Sequence, residues 1–281
     1  MPLSTPHFQL GLIGYPLGHS LSPKIHSAAL KACGLNGNYS LFPIAPDDKQ
    51  GLKDLLSHVR SGEITGLNVT IPHKQNVIEF MDELTPTAKA IGAVNTIYMR
   101  QNKLIGDNTD APGFLSDLKR VVTETKSKIE NRKSAIVLGA GGSARAVVYA
   151  LLNDGWNVTI AARRLEQAEQ LSQSFAEHDL RLSTFDFPLS TFHLLINTTP
   201  LGMAPNIETS PLPENTILSP DTIIYDLVYN PRETKLVKDA RAQGCSATTG
   251  LGMLIEQAAL AFEKWTGHNP PREILYQVAA S

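Results

Sequence analysis

AIVLGAGGSARA, Ala135 to Ala146, is the stretch on which the fold turns. Its apolar opening reads as a buried strand and its small-residue ending as a helix, with a glycine turn between them. Gly139, Gly141 and Ala144 fit G-x-G-x-x-[GA], and the strand–turn–helix setting is what gives that pattern its meaning. The first glycine permits the tight turn, and the second lets backbone N–H groups approach a pyrophosphate. The third small residue lets helix and strand pack closely. The helix N-terminus then favours an anion. Gly139, Ala140, Gly141, Gly142, Ser143 and Ala144 are therefore the candidate dinucleotide loop. A turn that is glycine-rich for packing alone is the blander reading, which this context disfavours.

The next strand decides which dinucleotide. It ends NVTIAARRLEQ, from Asn157 to Gln167. An NAD site usually carries an acid about 20 residues after the loop, where it binds the ribose 2′-OH. Here Ala162, Arg163 and Arg164 stand at that place. A guanidinium suits a 2′-phosphate, with bidentate geometry. The expected cofactor is NADP; solvated loop charges are the competing explanation.

Outward from the loop, strands and helices alternate. Upstream, Phe8–Ile13 reads as a strand. A helix follows from Ser22-Pro23, with Ser22 as its cap, and Gly34 ends it. YSLFPIA is a strand, DDKQGLKDLLSHVRSG a helix and GLNVTIP a strand. TPTAKAIG reads as a turn, followed by strands Ala93–Met99 and Lys103–Gly106. APGFLSDLKRVVTET leads out as a helix, and KSKIENRKS is a charged connector. Downstream come NVTIAA, LEQAEQLSQSFAEH, FHLLINTT, a Pro-rich loop, TIIYDLVY, RETKLVKDARAQG and the apolar helix GLGMLIEQAALAFEKWTG. Alternation of this kind predicts α/β architecture with a largely parallel sheet. Two α/β domains are expected, with the break near Asp110 to Phe114.

Composition excludes several classes. Lys and Arg number 25 against 27 Asp and Glu, a net charge of −2, so no basic footprint for nucleic acid is present. The two cysteines, Cys33 and Cys245, are far apart and lack metal-ligand spacing. No metal site is expected. The N-terminal stretch lacks the basic and apolar regions of a signal peptide. No apolar run reaches membrane-spanning length. A cytoplasmic protein is expected, with no nucleic-acid or membrane partner.

The first half also collects polar groups at loops and strand ends: Ser20 and Ser22 in HSLSP, Asn68, Thr70 and Lys74 in GLNVTIPHK, Asn95 in AVNT, Asp110 in GDNTD. Each has an ordinary structural explanation alone. Together, with one cation and one acid, they suit a small polyhydroxylated ligand. In open α/β sheets such ends face the ligand crevice.

GYPLGHSLSPKIHS, GLNVTIPHK, GAVNT, GDNTD, LGAGGSARA, NTTPLGM, DLVYNP and TGLGMLIEQA follow one another across nearly the whole chain. In this order they resemble the shikimate dehydrogenase family. The resemblance implies NADPH-dependent, reversible reduction of 3-dehydroshikimate to shikimate, a step toward chorismate and the aromatic amino acids. It also implies a substrate domain over 1–112, completed by helices in 251–281, a Rossmann-like NADP-binding domain over 113–250, and a cleft between them. By motif, Lys74 and Asp110 match the catalytic pair. Ser20 and Ser22 match the carboxylate-binding serines. Asn68, Thr70, Asn95, Tyr229 and Gln257 match substrate contacts. Leu227, Gly250 and Met253 match positions near the nicotinamide. A monomer or homodimer is expected.

The chain departs from the family pattern at His73, where an aromatic residue is common. It departs again at Ala162 and Arg164, where Asn and Thr commonly flank the arginine, and at Gln167, where a second arginine is common. Three questions stay open at this level. Lys74 could be the proton donor or a polarising cation. Quinate could serve as a second substrate. A non-catalytic ligand sensor on the same fold is the reading from another class, disfavoured because both Lys74 and Asp110 are present. His73 is a minor alternative acid/base, expected to point away from Lys74 or to the surface. His19 is expected to fix its loop by a hydrogen bond.

Overall fold

The computed structural model describes residues 6–125, 133–178, 180–183 and 189–281. In chain order the elements are β1 His7–Gly14, α1 Ser22–Ala32, β2 Asn36–Pro43, α2 Lys49–Arg60, β3 Gly66–Val69, β4 Glu83–Leu84, α3 Pro86–Ile91, β5 Thr96–Arg100, β6 Lys103–Asp107 and α4 Asp110–Glu124. There follow β7 Ser134–Leu138, α5 Gly142–Asn153, β8 Asn157–Ala161, α6 Leu165–Gln173, β9 Arg181–Ser183, β10 Leu194–Asn197, β11 Ile223–Asp226, α7 Lys235–Ala242, β12 Ala247–Thr249, α8 Leu251–Thr266 and α9 Arg272–Ala280. The expected connector KSKIENRKS lies, up to residue 132, outside the described residues.

The chain divides into two compact units, Met1–Gly113 with Ile255–Ser281, and Phe114–Leu254. In the first, the sheet order is β2-β1-β3-β5-β6-β4. Strand β1 pairs in parallel with β2 and β3, whereas β5 runs against both β3 and β6. The reversal from β5 to β6 comes from the two-residue turn Gln101-Asn102, both at positive φ, which matches the twist of a hairpin. One face of this sheet carries Ile13, Leu67 and Val69 into a core with Leu52, Leu55, Leu56 and Val59 of α2. Those α2 residues recur at helical spacing, and Asp48 caps the helix by accepting from Gly51 N–H. On β3, a side chain at Gly66 would meet the Trp265 ring at 2.2 Å, so the strand starts on glycine.

The second unit is parallel throughout, in the order β12-β11-β10-β7-β8-β9. Its core packs Ile136, Leu138, Leu195 and Ile224 with Leu236 and Ala240 of α7. The chain winds outward from β7 to one side and then, from β10, to the other. This is the doubly wound order, in which the connections from the neighbouring strands β7 and β10 leave in opposite directions, the place where such sheets bind ligands.

Two local expectations change. TPTAKAIG is not a simple turn but contains helix α3, capped by Thr85 accepting from Ala88 N–H, opened by Pro86 and closed by Gly92 at φ 67. All three helix signals are present; only the shortness hid them. Ser22 is not the cap of α1: it is the first helical residue, Leu21 holds the cap position, and no side chain caps that end. Among the described residues, no helix is long and apolar enough to cross a membrane.

Candidate active site

In the first unit, β1 and β3 run in parallel and end side by side, Ile13 opposite Val69. The loop after β1 carries Ser20 and leads into Ser22 at the start of α1; the turn after β3 carries Thr70 and Lys74. Strand β6 ends at the same edge and leads into Asp110, while β5 begins there, just after Asn95. Strand direction alone therefore gathers these polar groups along one side of the sheet.

Their contacts form a continuous network. Lys74 Nζ donates to Asp110 Oδ2 at 2.6 Å, with both side chains largely buried. Asn95 Nδ2 donates to Asp110 Oδ1 at 2.8 Å and lies 3.3 Å from Gln257 Oε1. Asn68 Nδ2 donates to the Asn95 carbonyl at 3.3 Å. Lys74 is held from behind as well, its carbonyl accepting from Val94 N–H at 2.7 Å. Lys74, Asp110, Asn95, Gln257 and Asn68 are thus one hydrogen-bonded group. Ser20 and Ser22 form a separate pair, Ser22 N–H donating to Ser20 Oγ at 3.2 Å. Thr70 is anchored through its backbone, N–H to the Ile13 carbonyl at 2.8 Å.

The network includes residues that motif reading left without a role. Asn108 Oδ1 accepts from the N–H groups of Asp110 and Ala111, capping α4 and fixing where Asp110 starts. Thr109 N–H donates to Asn95 Oδ1 at 2.7 Å. An Asn two residues before a helix is a cap signal, and GDNTD contained it. His73 is buried, with Nε2 donating to the Ile44 carbonyl at 2.7 Å. Of its two expected directions, the surface is excluded. His19 is exposed and its ring makes no hydrogen bond among the described residues, so the loop is not fixed by it. Ser20 N–H to the Leu17 carbonyl at 3.1 Å closes that loop instead.

In the second unit, Gly139 has φ +111, and a side chain there would meet Thr198 Oγ1 at 2.6 Å. Thr198 Oγ1 donates to the Leu138 carbonyl, so β10 braces the loop after β7. Gly141 is the cap residue of α5 and is exposed; nothing lies within 4 Å of where its side chain would be. That open backbone, followed by Gly142 and Ser143 at the helix start and by buried Ala144, fits a pyrophosphate cradle. Ala162, Arg163 and Arg164 follow the end of β8, with both arginines exposed and Arg164 in the cap position of α6. Two exposed cations at the strand end fit a phosphate on the adenosine ribose.

Leu227 and Tyr229 follow β11, whose last residue, Asp226, is fully buried. Asp226 accepts from Asn197 Nδ2, Thr234 Oγ1 and Val228 N–H. Burial pushes its carboxyl up to about 6 against the pull of those three bonds. Burial also raises the Tyr229 phenol. Gly250 is required beside this loop, since a side chain would lie 2.2 Å from the Leu227 carbonyl oxygen, and Met253 follows in the first turn of α8.

Comparison with known proteins identifies the family. Residues 12–97 match the shikimate dehydrogenase substrate binding domain. Residues 122–209 match shikimate / quinate 5-dehydrogenase, and residues 250–279 match the shikimate 5'-dehydrogenase C-terminal domain. Shikimate dehydrogenase (NADP(+)) of Carboxydothermus hydrogenoformans is 42% identical over 270 residues, covering 94% of each chain. A shikimate dehydrogenase crystallised with NADP+ superimposes with a TM-score of 0.90 at 39% identity, over 98% of this chain and 95% of that one. The Thermus thermophilus shikimate 5-dehydrogenase, solved with NADP(H) and shikimate, gives 0.85 at 35% identity, over 97% and 98%. The chain belongs to the shikimate dehydrogenase family.

Proposed function

We propose that this chain is a shikimate dehydrogenase, an NADP-dependent oxidoreductase that interconverts 3-dehydroshikimate and shikimate on the route to chorismate and the aromatic amino acids. The observation that carries the reading is the Lys74–Asp110 pair, 2.6 Å apart and tied through Asn95 to Asn68 and Gln257. Bound NADP(H) supplies or takes up the hydride. What remains for the protein is to place the ring, and to give a proton to the oxygen as the carbonyl becomes an alcohol.

Lys74 is assigned that proton. An ammonium held by a carboxylate hydrogen-bonds the developing oxyanion and can transfer its proton to it. Asp110 fixes the direction of Nζ, and Asn95 fixes Asp110. Ser20 and Ser22 are assigned to the substrate carboxylate. Asn68, Thr70, Asn95, Tyr229 and Gln257 are assigned to the ring and its hydroxyls. Gly139 to Ala144 are assigned to the pyrophosphate, Arg163 and Arg164 with Ala162 to the 2′-phosphate end, and Leu227, Gly250 and Met253 to the nicotinamide end. The enzyme is assigned to the cytoplasm, as a monomer or homodimer.

The test is steady-state oxidation of shikimate and of quinate, each with NADP and with NAD, followed by nicotinamide absorbance. Turnover of shikimate is expected, with kcat/KM for NADP well above that for NAD. A ratio near or below one would remove the role given to Arg163 and Arg164. Absence of shikimate turnover would remove the assignment itself.

A further inference from the structure

Tyr39 lies on β2 and Asn68 on β3, with β1 between them. In register, Tyr39 and Gly66 flank Leu10, and Asn68 flanks Leu12, two residues further along. Side chains two apart on a strand share a face, so the Tyr39 ring and the Asn68 amide meet across β1. The phenol donates to Asn68 Oδ1 at 2.8 Å, fully inside the protein. Behind it the Tyr39 ring stacks on His26 of α1, with centroids 4.4 Å apart and planes 2° from parallel. Trp265 and Phe262 of α8 close on the other sides of the imidazole.

An amide in such a position has two possible orientations, and two neighbours select between them. The Asn95 carbonyl only accepts, so the amide nitrogen must face it. The Tyr39 hydroxyl then meets the amide oxygen as donor. With Oδ1 turned to the phenol and one Nδ2 hydrogen given to Asn95, the nitrogen side of Asn68 keeps one N–H that it can offer a ligand. The chain of bonds continues through Asn95 to Asp110 and Lys74.

We propose that Tyr39 is a positioning residue of the substrate site, which locks the Asn68 amide so that a substrate oxygen meets it as an acceptor. Held by the His26 stack, Tyr39 never needs to touch the ligand. This inference rests on the function proposed above and on Asn68 being a substrate contact.

Tyr39→Phe removes one oxygen and keeps the stacked ring. In the full-length enzyme its KM for shikimate is expected to rise about 5- to 10-fold, the effect of one neutral hydrogen bond. The KM for NADP should stay unchanged and kcat should fall less than about threefold. Combined with Asn68→Ala, the same change should add less than about twofold, because its effect passes through that amide. Asn68→Ser is the cycle partner should Asn68→Ala fail to fold. An unchanged shikimate KM in Tyr39→Phe would overturn the proposal, as would an equal rise with and without Asn68 or a parallel rise in the KM for NADP. Loss of shikimate turnover in the parent enzyme would instead strike at the proposed function.

Discussion

Lys74 and Asp110 meet in a largely buried contact, and the proposed proton transfer rests on that pair. Lys74→Ala should lower kcat by about 10²- to 10⁴-fold, the usual scale for a general acid–base group, with the KM for NADP little changed. Turnover within a few-fold of the parent would leave Lys74 without a catalytic role. Its thermal midpoint belongs in the same experiment, since Asp110 keeps Asn95 but loses its cation. His26 tests a different property. Burial lowers its pKa to about 3, against a smaller upward push from Asn68. The unfolded chain therefore takes up the proton first. Stability from this group is complete above about pH 6.5 and is lost as pH falls toward 3, a change on the order of a few kcal/mol. Asp226 works the other way, since a raised carboxyl gains relative stability as pH falls from about 6 toward 4. The difference between parent and His26→Phe isolates the histidine. Urea unfolding should show the variant losing less stability than the parent between pH 7 and pH 4.5. Equal losses would mean that the ring is protonated without penalty in the folded state.

Among the elements, α4 and α8 depend on how closely they approach. A side chain at Gly252 of α8 would fall 2.0 Å from Asp117 Oδ1, and Asp117 is not free to yield. It accepts from Tyr225 at 2.5 Å and from Arg120 at 2.7 and 2.9 Å. Gly252→Ala should therefore cost about 1–3 kcal/mol, seen as a lower denaturation midpoint with an unchanged m-value. A neutral result would show that Asp117 has room to move. Asp48, Thr85 and Thr234 all cap as such residues do, whereas Ser22, the cap named from sequence, does not. What sequence concealed was length. Helix α3 looked like a turn, and β9, Arg181–Ser183, is an edge strand too short and too exposed to show an alternating pattern.

For the whole molecule, the glycine loop was enough to anticipate a dinucleotide unit, because its turn, helix and strand obey local rules. The Lys74–Asp110 pair was legible only through motifs, since nothing local brings Lys74 to Asp110; the sheet edge does. Tyr39 and His26 were silent for the same reason. A tyrosine in a strand and a histidine in a helix look like ordinary core, and their meaning depends on β1 lying between β2 and β3. Family motifs also could not reveal Asn108 and Thr109 as the braces of Asn95 and Asp110.

The first unit is written in two pieces, with the whole of Phe114–Leu254 intervening. On a ribosome adding roughly 5–20 residues each second, the opening piece waits on the order of ten seconds for Trp265 to arrive and cover Gly66. The middle unit has all its strands available before then. Birth order and completion order are thus reversed: of the two units, the one begun earlier is the one completed later.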